Sequence, residues 1–133
     1  MLRKTPYSFG RTVPLAHAEA VTLIKEALAE QGFGILTEID VAAKFKEKLG
    51  IDYPAYRILG ACNPKMAHRA LGIEADLGVM LPCNVIVFVD ASGTTNVMAM
   101  DPAQAMKILG NPAIEAVAQE VRSLIALALE KLP

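Results

Sequence analysis

The chain has 133 residues, of which 13 are basic and 14 acidic, and its net charge of −1 lacks the positive field that a phosphate backbone would need, so nucleic acid is not an expected partner. No apolar run reaches the ~18 residues of a membrane span, and the first residues, MLRKTPYSFGR, carry no apolar leader, so a cytoplasmic protein without a membrane partner is expected. The length fits a single domain over residues 1–133, and a hydrophobic share of 53% without any Trp is more than one such domain needs for its own core, which points to an oligomer interface.

In chain order, residues 4–13 alternate loosely, with Tyr7, Phe9 and Val13 against polar neighbours, and predict a first strand that Pro6 confines to an edge or a strand start. Pro14 opens a helix to about Gln31 with the apolar stripe Leu15, Ala18, Val21, Ile24 and Leu28, and Gly32 stands where a helix ends. His17 lies on the shoulder of that stripe, where a packed or solvated residue is expected rather than a ligand. Residues 33–39 predict a second strand with Phe33, Ile35, Thr37 and Ile39 on one side. Asp40 then caps a helix over 41–49 that Gly50 ends, with its KFKEK run on a solvated face. Glu38 and Asp40 are close enough in sequence to form a paired-carboxylate site, but a helix-cap Asp beside a strand-end Glu is the better account of them. A third strand over 55–61 alternates Tyr56, Ile58 and Gly60 against Arg57, Leu59 and Ala61.

Both cysteines lie in the segment from Gly60 to Asp90. Asn63-Pro64 is a cap followed by a first-turn proline, so a short helix over 64–72 begins directly after Cys62. The positive end of a helix favours a thiolate, and Lys65 and Arg69, four apart on one face with His68 beside them, would strengthen that field. The alternative is a small buried Cys62 closing a strand, with the cations merely solvated. Residues 85–89, Val-Ile-Val-Phe-Val, predict a strand covered on both faces, by a second layer, a ligand or another subunit on the side that helices leave open. Ala91-Ser92-Gly93 turns into a strand over 94–100 with Asn96, Met98 and Met100 on one face and Thr95, Val97 and Ala99 on the other. Asp101-Pro102 starts a short helix to Leu109, and Gly110-Asn111-Pro112 breaks it. A last helix over 113–132 has the stripe Ile114, Val117, Val121, Leu124, Ala128 and Leu132, which Leu127 and Leu129 widen. If the third and fourth strands pair antiparallel, Cys62 and Cys83 lie at the same end of the sheet.

The run Ala61-Cys62-Asn63-Pro64, the Leu81-Pro82-Cys83 before an apolar strand and the later Asp101-Pro102 resemble the domain of unknown function 302 family over nearly the whole chain. The resemblance implies an α+β domain of order β-α-β(4)-α, a mostly antiparallel sheet covered on one face by two long helices, similar to one repeat of the TATA-box-binding-protein fold. It also implies a tendency to homodimerise and no particular function.

No phosphate loop, nucleophile elbow, catalytic triad or zinc motif is present, and the residues name neither a reaction nor a cofactor. Three functions remain. The first is a homodimeric binding domain for a small, partly apolar or anionic ligand, with Lys65, His68, Arg69, Met98 and Met100 as candidate contacts. The second is a thiol redox or thiol-transfer protein with Cys62 reactive and Cys83 its partner. The third is a structural or interaction dimer without a ligand. No metal is expected; a soft-metal site from Cys62, Cys83 and a methionine is the one arrangement the donor set leaves open.

Overall fold

The computed structural model describes residues 2–133, so Met1, the first residue of the expected domain, lies outside the described residues. Six strands form one antiparallel sheet: β1 (Arg3–Lys4), β2 (Ser8–Val13), β3 (Gly34–Asp40), β4 (Tyr56–Cys62), β5 (Cys83–Val89) and β6 (Thr95–Met100), in the spatial order β1-β2-β6-β5-β4-β3. The helices are α1 (His17–Glu30), α2 (Val41–Leu49), α3 (Pro64–Ile73), α4 (Pro102–Ala105) and α5 (Pro112–Glu130), with 3₁₀ turns at Ala75–Met80 and Met106–Leu109. The fold class is α+β, as expected, and α1 and α5 cover one face of the sheet.

Several boundaries differ from the sequence expectation for identifiable reasons. The first strand is two: Pro6 has no N–H for a ladder, and Thr5 and Ser8 close a tight turn (Thr5 N–H to the Ser8 carbonyl, 2.8 Å) that folds Arg3 back against Gly10. The first helix opens at His17 rather than Pro14. Ala16 is its extended cap residue, and its backbone N–H donates to Glu19 at 3.4 Å. Ala18 of the expected stripe is exposed, while Ala20, Val21, Ile24, Ala27 and Leu28 are buried. In β3 a bulge between Ile35 and Thr37 leaves Leu36 66% exposed. The extra residue shifts the alternation, so Ile35 packs on the helix-side core while Thr37 and Ile39 pair with Gly60 and Ile58 and face the other way. The last helix starts at Pro112, because Asn111 repeats the cap-then-proline device and accepts from Ala113 and Ile114. Leu129, expected to widen the stripe, is fully buried in the core, and Leu127 is 49% exposed.

The helix-side core gathers Phe9, Leu59, Val85, Val87 and Val97 from the sheet with Ile24 and Leu28 of α1 and Ile125 and Leu129 of α5, all 0% exposed. Each such side chain stabilises the fold by roughly 1.5–3 kcal/mol relative to exposure. A smaller apolar cluster of Ala70, Leu77, Met106, Ile114, Val117 and Ala118 fills the space between α3, the two 3₁₀ turns and the start of α5. Arg11 of β2 donates to the carbonyls of Leu132 (2.7 Å) and Leu129 (3.3 Å), placing a cation on the negative end of α5 and tying that helix to the sheet.

Candidate functional site

Strand pleating turns alternate residues of β4, β5 and β6 to the side that carries no long helix. There Tyr56, Ile58 and Gly60 stand beside Asn84, Ile86 and Phe88, and these beside Asn96, Met98 and Met100. Residues 85–89 are therefore covered on one side only within the chain: Val85 and Val87 are 0% exposed, while Ile86 and Phe88 are half-buried. The open side is a shallow concavity of about 460 Å³ whose rim includes Arg3, Thr5 and Tyr7.

Four aromatic rings run from α2 to one end of this face, where Tyr56 and Phe88 line the concavity. Phe45 of α2 meets Tyr53 edge-on at 4.9 Å between centroids, Tyr53 lies 6.5 Å from Tyr56, and Tyr56 stacks on Phe88 at 5.4 Å. Such pairs contribute about 0.5–1.5 kcal/mol each beyond their buried area. Burial raises the Tyr56 hydroxyl above its ordinary pKa, so it stays protonated and able to donate. Toward the other end, Met98 is only 2% exposed. Its sulfur lies against Gly10 on the neighbouring strand, where a side chain would collide with both Met98 and the Val97 carbonyl. Polar groups are few and mostly engaged. Arg3 donates to the Asn96 amide oxygen at 2.8 Å, and the Asn96 amide nitrogen donates to Asp90 at 2.9 Å. Hydrogen bonds led by that from the Ser92 side chain hold Asp90 well below the usual carboxylate range, at about 2. Asn84 stands exposed near the start of β5.

The cysteines lie at the same end of the sheet. Ala61 pairs with Cys83 and Gly34 with Cys62, and both thiols are free. Cys83 is buried beside Ala61, and the half-buried Cys62 lines the same small helix-side cavity as both of them. Burial, with a smaller contribution from Cys62, pushes the Cys83 thiol up to about 11. Cys83 is therefore a thiol rather than a thiolate at neutral pH. Among the described residues no three His, Cys, Asp or Glu side chains are grouped to hold a metal ion.

Lys65, His68 and Arg69 stand on the exposed side of α3, whose inner side presents Met66, Ala67 and Ala70. Asn63 caps this helix as expected, accepting from Met66. Arg69 is held by Glu120 of α5 at 3.0 Å. None of the three cations lines the open face that Met98 and Met100 share. Glu38 and Asp40 are not a free carboxylate pair either. Asp40 caps α2 by accepting from Ala43 at 2.9 Å, and Glu38 is bound by Lys25 and Arg57, which lower its pKa. His17 packs its Nε2 against the Val87 carbonyl at 2.9 Å. The aromatic ladder and Arg3 went unsingled in the sequence. The signal that would have found the ladder is the two-residue step from Ile86 to Phe88 set against Tyr56 in the antiparallel register.

The family model described as domain of unknown function DUF302 matches residues 9–132. The chain belongs to the DUF302 family. It is similar to the crystal structure of an uncharacterised conserved DUF302 protein from Bacillus stearothermophilus, with a TM-score of 0.89 at 28% sequence identity over 95% of this chain and 98% of that one. No curated protein matches it. The likeness extends through the whole DUF302 domain, both the sheet and its helix layer. Among the described residues no helix is long and apolar enough to cross a membrane.

Proposed function

We propose that this DUF302 domain is a homodimeric binding protein in which a second copy closes the open sheet face over a small, partly apolar ligand. The observation that carries this reading is the uncovered concavity itself. Its volume of about 460 Å³ falls in the range of small-molecule sites, ~300–1,000 Å³. Its lining of aromatic rings, Met98, Met100 and Ile86 with a few polar groups matches the mix such sites use. A face this shallow leaves most of a ligand in water, so a second wall is needed, and Tyr7 at 69% and Tyr53 at 47% exposure offer apolar surface beside the rim for one. Lys65, His68 and Arg69 have no part in this site, since they lie on the helix side of the sheet.

A native mass spectrum of the purified protein tests the reading, because it reports subunit number and any retained ligand together. A dimer carrying a small adduct is expected. A monomer at every concentration overturns it, and a dimer that never carries a ligand replaces it with a purely structural interaction dimer. A thiol redox or thiol-transfer role is the second reading, favoured by the register that puts Cys62 and Cys83 at one corner. The raised pKa of Cys83 weighs against it. Labelling of Cys62 well below pH ~8.5, the ordinary thiol value, would restore it.

A further inference from the structure

The helix side of the sheet holds a second cavity, of about 50 Å³, at the junction of the two apolar clusters. That is several times the ~10–15 Å³ that admits one water molecule. Its walls include Phe33 and Ala61 from the sheet side, Met66 of α3, Leu77 and Met106 of the two 3₁₀ turns, and Ala118 of α5. No charged residue lines it, and beside the thiols of Cys62 and Cys83, which are only weak hydrogen-bonding groups, its polar side chains come down to one amide. The one side-chain amide, Asn63, is engaged at both ends: its oxygen accepts from Met66 and its nitrogen donates to the Gln31 carbonyl at 3.3 Å. A water placed there would lack the two to four polar partners it needs, so the cavity favours an uncharged apolar occupant.

The turns beside it supply an independent observation. Each sends one side chain inward, Leu77 at 3% and Met106 at 4% exposure, and one outward, Val79 at 90% and Ile108 at 85%. Those two are the most exposed of the large hydrophobic residues among the described residues. The Asn111 amide, donating to Glu74 at 3.4 Å, joins the segments flanking the two turns. Short 3₁₀ segments have poorer hydrogen-bond geometry than α-helix, and methionine side chains repack readily, so this wall is the one suited to admitting a guest.

The geometry points to a binding site, separate from the open sheet face, for one small uncharged branched-alkyl or similarly apolar group, entered between the turns Ala75–Met80 and Met106–Leu109. Protein labelled at its methionine methyls is titrated with isobutanol and, separately, with isobutyrate at neutral pH, two probes with one carbon skeleton and different charge. Isobutanol is expected to shift Met66 and Met106 saturably, leaving Met98 in place, and isobutyrate to shift none of the three. Ala118→Leu, which fills the void, is expected to abolish the isobutanol shifts. If that variant does not fold, xenon under pressure on the parent protein takes its place, with expected shifts at Met66 and Met106 that isobutanol displaces. Shifts that do not saturate, that appear equally at Met98, that survive Ala118→Leu, or that xenon and isobutanol produce independently overturn the site. An equal response to isobutyrate overturns its preference for an uncharged group.

Discussion

The two faces of the one sheet are built to different ends. On the helix side, Leu59, Val85, Val87 and Val97 are each fully buried, and the helices laid over them complete a dry core. On the other side, Tyr56, Ile86 and Phe88 alternate with those same residues along the same strands yet remain half-buried. A sequence that cared only for folding would place polar residues there. Retaining aromatic and branched side chains on an uncovered face has a cost in solubility, which the second copy proposed above would offset.

The largest effect that separates the faces comes from placing a carboxylate on each. Val87→Asp buries a charge without a partner and is expected to cost about 4 kcal/mol or more, read as a denaturation midpoint. Ile86→Asp, the adjacent residue on the open face, is expected to cost about 1 kcal/mol in the isolated chain while abolishing self-association. Equal costs would mean that the two faces are not different environments.

Next in size is Gly10→Ala, where the added methyl meets the Val97 carbonyl and the Met98 sulfur. A loss of about 1–3 kcal/mol is expected, because backbone on a neighbouring strand cannot move aside as a flexible side chain can. An unchanged melting temperature would show that the β2–β6 contact is loose.

A pH series sharpens the contrast at the buried end. Burial raises the pKa of Cys83 to about 11, so its neutral form is the one the fold favours. Its contribution is complete below pH 9 and is lost as pH rises toward 11, on the order of 2 kcal/mol over that window. Cys83→Ala is expected to flatten this part of the profile, which chemical denaturation at several pH values measures. The smallest effect lies at the β5–β6 turn. Asp90 is depressed to about 2, so its stabilisation is present above pH ~4 and is lost as pH falls through its folded value. Asp90→Asn is expected to remove that acid dependence without altering the open face, provided Arg3 keeps Asn96 in place.

The sequence made much of the sheet legible because caps, prolines and alternation act locally. Asn63-Pro64 and Asp101-Pro102 both start helices where expected, and Thr95 to Met100 divides between faces as its alternation says. The departures came from contacts distant in sequence. The Leu36 bulge reverses the facing of Thr37 and Ile39, and Thr37 then occupies the space that Gly60 leaves on β4. Lys65, His68 and Arg69 were a plausible set along the sequence, but α3 turns its other side to the core, and Glu120, fifty-one residues beyond Arg69, binds it. The aromatic ladder joins Phe45, Tyr53, Tyr56 and Phe88 across a helix, a loop and two strands, so no single segment displays it.

The measurement that bears most directly on the open face as the shared surface is the methionine-methyl spectrum of the parent protein followed on dilution. Met98 lies on the open face, Met66 and Met106 belong to the helix-side cluster, and Met100 borders both. A second copy seated over the open face predicts that the Met98 signal moves with dilution, together with a falling mass by light scattering, while Met66 and Met106 stay fixed. A concentration-independent signal at Met98 with a monomeric mass throughout, or a dimer whose dissociation moves only Met66 and Met106, would contradict it.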